Sequence, residues 1–230
     1  MRTLGLIGGM SWESTLPYYR LVNERVRERL GGLHSAKLLL YSLDFAEVEA
    51  LQRSGDWDAA GALMVDAAQR LERAGAEALV ICTNTMHLLA PRVEAAVAVP
   101  LLHIADVAAR AIRARGIVRI GLLGTRFTME QPFYRERLQA AGLEVQVPDA
   151  AAREDVHRVI YEELCRGEIV EASRERFRQV VAGLAASGAQ AVVLGCTEIG
   201  LLLDEADAAV PLFDTTLLHA RAAADWALDG

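Results

Sequence analysis

The chain has 230 residues, of which 53% are hydrophobic, and a formal net charge of −7. This length suits one large domain or two small ones with a sizeable buried core. The acidic balance argues against a nucleic-acid partner and against an anionic membrane surface, because both need clustered Lys and Arg.

Apolar, strand-like runs alternate with amphipathic, helix-like runs along the chain. Most strand-like runs are apolar at every position, which is typical of parallel strands covered by helices on both faces. Between them, Asp56 and Thr128 are predicted N-caps and Gly75 is a predicted helix stop. This order predicts an α/β fold with mainly parallel sheets. The predicted strands are 3–8, 36–42, 77–82, 100–104, 118–124, 143–148, 190–196 and 210–214.

Three segments recur in the same order in the two halves of the chain. The pairs are "LGLIGGM" (4–10) with "IGLLGTR" (120–126), "GAEALVICTNT" (75–85) with "GAQAVVLGCTE" (188–198), and "VPLLHIA" (99–105) with "VPLFDTT" (210–216). Three ordered matches indicate a duplicated domain, since the period is too long for a solenoid. They predict two pseudo-symmetric α/β domains, 1–103 plus 211–230 and 104–210. The active site is then expected in the cleft between the domains.

The second repeat pair nominates two residues for proton chemistry. Aligning its two segments places Thr83 opposite Cys196 and Cys82 opposite Gly195. Strand alternation separates Cys82 from Thr83, so only one of them faces a given site. The repeat favours Thr83, but alternation loosens at a strand end, and Cys82 stays open as the alternative.

Cys196 has the setting of a functional thiol. It ends an apolar strand, follows a glycine and precedes the polar pair Thr197 and Glu198. A helix that begins near Glu198 would aim N–H groups at the thiol and is expected to lower its pKa. The alternative is a buried thiol without function. Cys165, in the predicted amphipathic helix "VIYEELCRG", is interpreted as a packing residue.

The segment "GLIGGMSWEST" predicts a tight glycine turn between a strand and a helix. It lacks the G-x-G-x-x-G pattern of dinucleotide sites, so a small-anion site of N–H groups around Gly9, Met10 and Ser11 fits better. A simple connecting turn is the alternative. The five histidines, at 34, 87, 103, 157 and 219, have no ligand-like spacing, and we expect no metal.

The three cysteines are an odd number without paired spacing, which argues against a disulfide framework. No secretory signal is visible, and no apolar run reaches the ~18 residues that a membrane span needs. We therefore expect a cytoplasmic protein without a membrane partner.

Several long motifs resemble one family from end to end. They are "GLIGGMSWESTLPYYRLVNERV", "GGLHSAKLLLYSLDF", "CTNTMH", "LLGTRFTMEQPFY", "YEELCRGE" and "GCTEIGLLL". The chain resembles the aspartate/glutamate racemases, and most of all their L-aspartate/glutamate-specific, broad-range branch. The resemblance implies racemization of an amino acid by two bases on opposite faces of Cα. It also implies no pyridoxal phosphate or other cofactor, and a homodimer.

The family usually places a thiol in each domain, in the motifs Cys-Asn-Thr and Gly-Cys-Thr. Here Thr83 precedes Asn84 and Thr85, whereas Cys196 is intact, so the resemblance implies Thr83 and Cys196 as the catalytic pair. A hydroxyl is a far weaker acid than a thiol, whose free pKa is ~8.5. Cys196 is therefore the expected base, and Thr83 is expected to donate or relay a proton.

The resemblance also implies the residues that bind the substrate. Asn84, Thr85, Thr125 and Thr197 are candidates to hold the α-carboxylate and ammonium, and Met10 and Ser11 to line the other wall. Glu198 is a candidate partner of the ammonium. As alternatives, Thr125 caps a turn and Glu198 starts a helix.

The alignment puts Gln52 near the position where related aspartate racemases bind the side-chain carboxylate, with Arg53 beside it. Arg126 and Arg166 are further candidates for this role. A neutral amide at Gln52 would bind acidic side chains less selectively and would also accept homoserine-like or amide side chains. The expected substrates are therefore aspartate and glutamate, with broader scope.

Two other functions remain open from the sequence. One is a single-thiol decarboxylase or cis-trans isomerase of a small dicarboxylate. The other is a small-molecule binding module without catalysis.

Overall fold

The computed structural model describes residues 1–229, which form two parallel sheets covered by helices. One unit comprises Met1–His103 and the described residues from His219 onward, and the other comprises Ile104–Leu218. The sequence instead predicted that the first domain resumes at residue 211. The difference arises because Leu212–Asp214 pairs with the sheet of the second unit.

The first unit contains a three-stranded sheet of order β2-β1-β3. Asp44 and Asp56 cap α2 and α3 with their carboxylates, as the sequence predicts for Asp56. The elements are β1 (Leu4–Gly8), α1 (Trp12–Leu30), β2 (Leu38–Ser42), α2 (Phe45–Ser54), α3 (Trp57–Arg73), β3 (Ala78–Ile81), a 3-10 helix (Thr85–Leu89) and α4 (Ala90–Glu94).

The second unit contains a four-stranded sheet of order β5-β4-β6-β7. Its helix α11 continues past Leu218 into the first unit. The elements are α5 (Ile104–Ala114), β4 (Arg119–Gly124), α6 (Arg126–Glu130), α7 (Pro132–Ala140), β5 (Glu144–Gln146), α8 (Ala150–Glu162), a 3-10 helix (Leu164–Arg166), α9 (Glu171–Ala186), β6 (Ala191–Gly195), α10 (Ile199–Leu202), a 3-10 helix (Glu205–Asp207), β7 (Leu212–Asp214) and α11 (Thr215–Leu228).

The sequence repeat reappears as strand register. Leu4 pairs with Ala78 in the first sheet, and the repeat-equivalent Ile120 pairs with Ala191 in the second. The predicted strand 100–104 is reduced to one parallel bridge, Leu79 with Leu101, which corresponds to Val192 with Leu212. The two sheets therefore have the same strand order and register.

Helices cover both faces of each sheet. In β1, Leu4 and Leu6 pack against α1 and α11, while Ile7 packs on the opposite face against α3. Full burial of one such side chain stabilises the fold by roughly 1.5–3 kcal/mol. This two-sided cover explains why the strands are apolar at successive positions.

Two local predictions from the sequence were wrong. Thr128 does not begin a helix, because the Thr125 side chain caps α6 and Thr128 lies inside that helix. Cys165 lies in the 3-10 helix after α8 rather than in an α-helix.

Among the described residues, the helices are all too short or too polar to cross a bilayer.

Candidate active site

The turn after β1 is held by its own side chains. Gly9 has a φ of 85°, and its N–H donates to Thr15 Oγ1 at 2.9 Å. The Thr15 hydroxyl donates to the Ser11 carbonyl oxygen at 2.9 Å. Because the Gly9 N–H is already bonded, its predicted part in an anion site was wrong. Met10 and Ser11 are 3% and 1% exposed, and their role in substrate binding stays a prediction.

Cys82 and Thr83, the neighbours at the end of β3, have different surroundings. Cys82 is fully buried in the core with Tyr18 and Val22, and burial raises the pKa of its thiol. Thr83 is 7% exposed. Its hydroxyl makes no hydrogen bond to another residue within 1–229. Cys82 is therefore a core residue, and Thr83 keeps an unbonded hydroxyl.

The residues that follow Thr83 are also buried. Asn84 and Thr85 are 1% and 4% exposed and lead into the 3-10 helix Thr85–Leu89. Three consecutive polar residues are thus sheltered from bulk water at the carboxyl end of a strand. That is the edge where α/β sheets bind ligands.

Gln52 is buried in the last turns of α2, and its Nε2 lies 3.1 Å from Met86 Sδ. The neighbouring Arg53 points to solvent, where its guanidinium pairs with Glu49 at 3.6 Å. Of these two neighbours, the neutral amide lies inside the first unit and the cation lies on its surface.

Cys196, Thr197 and Glu198 form a buried hydrogen-bonded group at the end of β6. Cys196 Sγ donates to Glu198 Oε2 at 3.0 Å, and Thr197 Oγ1 donates to the same oxygen at 2.8 Å. Glu198 is 2% exposed and is also the N-cap residue of α10. A buried carboxylate with two donors is satisfied by these neighbours rather than by water.

The environment of Cys196 raises the pKa of its thiol well above the ordinary value. Burial is the largest cause, and the negative charge of Glu198 is the next. Both disfavour a thiolate. The predicted lowering of this pKa by a helix N-terminus was therefore wrong, since α10 has only four residues and its N-cap is an acid.

Thr125 occupies the turn after β4, at the repeat position of Gly9. Its hydroxyl accepts from the Thr128 N–H at 3.3 Å and lies 3.3 Å from the Thr128 hydroxyl. The capping role, one of the two interpretations of Thr125, is thus present. Arg126 is exposed and pairs with Glu154 at 3.6 Å, and Arg166 is also exposed.

Sequence reasoning missed a group of buried aromatic side chains beside Thr83. His87 Nδ1 lies 2.7 Å from the Thr83 carbonyl oxygen. The His87 ring lies 4.4 Å from the ring of His103 and 5.8 Å from the ring of His219. The four-residue step from Thr83 to His87 is a local signal for the first contact, whereas no local signal links His87 to His219. Within residues 1–229, no group of three or more His, Cys, Asp or Glu side chains is arranged to hold a metal ion.

Comparisons with known proteins give one consistent result. The family model of the Asp/Glu/hydantoin racemases matches residues 7–223. The chain is 22% identical to the broad specificity amino-acid racemase RacX of Bacillus subtilis (strain 168), over 95% of each chain.

Two solved structures are similar over nearly the whole chain. A candidate Asp/Glu racemase from Yersinia pestis is 59% identical, with a TM-score of 0.91, covering 99% of this chain and 100% of that one. An aspartate racemase homologue from Pyrococcus horikoshii OT3 is 36% identical, with a TM-score of 0.85 and the same coverage.

Proposed function

This chain belongs to the Asp/Glu/hydantoin racemase family and is an amino-acid racemase, and on that premise we propose that it interconverts L- and D-aspartate, glutamate and related amino acids. The family, the isomerase class and the α/β architecture expected from the sequence are confirmed. The proposed reaction is a two-base proton transfer at Cα that uses no pyridoxal phosphate. In it, Cys196 and Thr83 serve opposite faces of the substrate.

The observation that carries the proposal is the buried hydrogen bond between Cys196 and Glu198. Burial and the carboxylate both oppose thiolate formation and raise the pKa of the thiol, so the thiol holds its proton until a positive charge offsets that of Glu198. A substrate ammonium bound at Glu198 would offset the carboxylate charge and lower the pKa of the thiol. The thiol then releases its proton to water, and the resulting Cys196 thiolate accepts the α-proton, since a base works best when its pKa is near the operating pH.

Thr83 takes the opposite role in this proposal. Its unbonded hydroxyl is available to relay a proton: it donates its own proton to the carbanion as it accepts another from a water molecule, so that no free alkoxide, which is too basic to form there at neutral pH, is left. The enantiomers have equal free energy, so kcat/KM must be equal in the two directions. Because a thiol serves one face and a hydroxyl the other, kcat and KM taken separately are expected to differ between the two enantiomers. The rate of α-proton exchange is expected to differ as well.

The carbanion formed at Cα requires hydrogen-bond donors aimed at the substrate carboxylate. We assign this role to Asn84, Thr85 and Thr197, which are all less than 5% exposed. Thr125 is a further candidate, in addition to its capping bond. Met10 and Ser11 line the same binding region in this proposal.

Substrate scope follows from Gln52. A neutral, buried amide contributes no charge to bind a side-chain carboxylate, and the adjacent Arg53 is turned to solvent. We therefore propose a broad scope that includes aspartate, glutamate and homoserine. The name of the Bacillus subtilis relative, which describes broad specificity, supports this breadth.

The test is α-proton exchange in D₂O followed by NMR, with L- and D-aspartate, glutamate and homoserine and no added cofactor. Wild-type protein and Cys165→Ala, which removes a different thiol of the second unit, are expected to exchange the proton. Cys196→Ala is expected to lose exchange by about 10³-fold, as removal of an essential base does.

Two outcomes would redirect the proposal. No exchange with any of the six amino acids, together with turnover of a malonate or maleate, would indicate a single-thiol decarboxylase or isomerase. Saturable amino-acid binding that persists in Cys196→Ala, without exchange in the wild type, would indicate a binding module.

We also propose that the protein is a cytoplasmic homodimer. Trp12, Leu16 and Tyr19 are each 57–59% exposed and follow one another on one face of α1. Exposed apolar patches commonly mark protein interfaces, and a second copy of the chain is the partner we propose. Leu16→Glu is expected to shift the sedimentation coefficient from dimer to monomer. An unchanged coefficient would exclude this face.

A further inference from the structure

Four buried side chains from distant segments meet in the first unit. They come from α1, from the 3-10 helix after β3, from the segment after Leu101, and from α11. Each is at most 5% exposed. Adjacent rings are 4.4–5.8 Å apart. The four residues are Tyr18, His87, His103 and His219. The proposed reaction so far gives none of them a role.

The hydrogen bonds fix the ring tautomer of His219. Its Nε2 lies 2.7 Å from the Leu102 carbonyl oxygen, which only accepts, so Nε2 carries a proton. Its Nδ1 then accepts from the Tyr18 hydroxyl at 2.9 Å. Burial lowers the pKa of His219 to about 4, so the ring is neutral at neutral pH. Both ring nitrogens are hydrogen-bonded, so the orientation of the His219 ring is fixed. The His87 ring packs against it at 5.8 Å.

A hydrogen bond from His87 restrains the backbone at Thr83. Its Nδ1 lies 2.7 Å from the Thr83 carbonyl oxygen, so Nδ1 is the donor in this bond. A bond to that oxygen fixes the peptide plane between Thr83 and Asn84. The plane in turn sets the direction in which the Thr83 hydroxyl and the Asn84 side chain leave the backbone.

The second unit provides an internal control. The repeat aligns His87 with Gly200, and the Cys196 carbonyl oxygen accepts a bond from the backbone N–H of Ile199 at 3.1 Å. A side chain at Gly200 would collide with Asp214, since its Cβ would lie 2.6 Å from Asp214 Oδ2. The thiol is therefore positioned by the backbone, whereas the hydroxyl is positioned by an imidazole.

We propose that His87 is the positioning residue of the Thr83 side of the reaction, held in place by His103 and His219. This inference rests on the proposed racemization. If His87 has this role, replacing it affects proton transfer on one face of the substrate only. A misplaced Thr83 impairs proton delivery from its own side and leaves proton removal by Cys196 intact.

Exchange and inversion report on the two sides separately. When Cys196 removes the α-proton, a C–H bond breaks and an S–H bond forms, and the thiol then exchanges its proton with D₂O. The carbanion either takes deuterium back from Cys196, with retention, or receives it from the Thr83 side, with inversion. At an unchanged rate of exchange with retention, a rise in the ratio of retained exchange to inversion therefore reports a loss on the Thr83 side.

The test compares three substitutions at position 87. His87→Leu removes the donor, and His87→Gln keeps a polar side chain but moves the amide away from the Nδ1 position. Both are expected to raise the ratio at least about tenfold, since a displacement of about 1 Å costs up to about 10²-fold in rate. His87→Asn, whose amide nitrogen occupies the Nδ1 position, is expected to restore the wild-type ratio.

The outcomes separate the two proposals. A wild-type ratio in His87→Leu or His87→Gln, or an equal fall of both rates in folded protein, overturns the positioning role and leaves the racemase proposal intact. No exchange by the wild-type enzyme overturns both. A 15N NMR spectrum of the imidazoles gives an assay independent of activity, in which His87 must show a protected Nδ1–H. A His87 ring protonated only at Nε2 also overturns the inference.

Discussion

At the end of β3 a hydroxyl lies beside a group of histidines, whereas at the end of β6 a thiol lies beside a carboxylate. The strands that lead to these residues have the same order and register in both units. The buried strands must satisfy similar packing in each copy, because interiors are close-packed and tolerate little change. Residues beyond the strand ends are not held to the same packing, so the two copies carry different functional groups there.

The largest expected effect tests whether the thiol and the hydroxyl have different tasks. Cys196→Ser is expected to lower kcat by about 10³-fold, because a hydroxyl loses its proton far less readily than a thiol at neutral pH. Thr83→Ser, which keeps the hydroxyl, is expected to retain activity within about tenfold. The measurement is the initial rate of racemization from each enantiomer by circular dichroism. Equal losses in the two variants would contradict the division of tasks.

The second prediction concerns stability at low pH. The buried His219 is expected to make the first unit lose stability as the pH falls. Its pKa is about 4 in the folded protein and ordinarily 6.5, so the unfolded chain binds a proton first as the pH falls. Stability is fully present above pH 6.5 and falls by about 3 kcal/mol as the pH approaches 4.

Tryptophan fluorescence measures this effect, because all three tryptophans, at 12, 57 and 226, lie in the first unit. Urea unfolding at several pH values should show the loss in the wild type. His219→Gln, which cannot titrate but can donate to Leu102, should flatten the pH dependence. An unchanged slope would remove His219 as the cause.

The third prediction compares two glycines at equivalent positions of the repeat. A Cβ at Gly124 would lie 2.6 Å from the Gly195 carbonyl oxygen, whereas a Cβ at Gly8 would lie 2.6 Å from Thr15 Cγ2. Both alanine variants should lose about 1–3 kcal/mol of unfolding free energy. Only Gly8→Ala should be partly rescued, by Thr15→Ser, because its obstacle is a side chain. Rescue is measured by urea denaturation, and a failure to rescue would show that the backbone near Gly8 is equally rigid.

The smallest effect concerns the carboxylate beside the thiol. Glu198→Gln removes a negative charge that raises the pKa of Cys196, so the pKa should fall. The fall is only partial, since burial is the larger cause and persists in the variant. The pH dependence of Cys196 alkylation by iodoacetamide, in a Cys82→Ala and Cys165→Ala background, reports the change. An upward shift would contradict the role of Glu198.

Sequence reasoning succeeded where the signal was local or repeated. Apolar runs predicted eight strands, of which seven form and one is reduced to a single bridge, and the repeat predicted the matching architecture of the two sheets. Alternation along β3 also placed Cys82 in the core, where it is fully buried. These features depend on neighbours within a few residues, which a sequence displays directly.

The failures involve contacts that a linear sequence does not display. The pKa of Cys196 depends on burial and on the rotamer of Glu198, and the sequence showed neither. The Tyr18–His219 bond joins residues 201 positions apart. Thr125 and Thr128 are both acceptable caps by residue type, and only the backbone conformation separates them.

The return of α11 to the first unit has a consequence for synthesis of the protein. Ala220, Ala223 and Ala224 cover the face of the first sheet that includes Leu6 and Val80. A ribosome makes the strands of that sheet long before it makes the covering helix. The second unit, in contrast, is one continuous stretch of chain. Its segments are therefore all present first. On the N-terminal sheet, α1 covers part of this face early, whereas the part that α11 covers stays exposed until translation has passed residue 224. Exposed apolar surface of this kind makes a nascent chain prone to aggregation and is what chaperones bind.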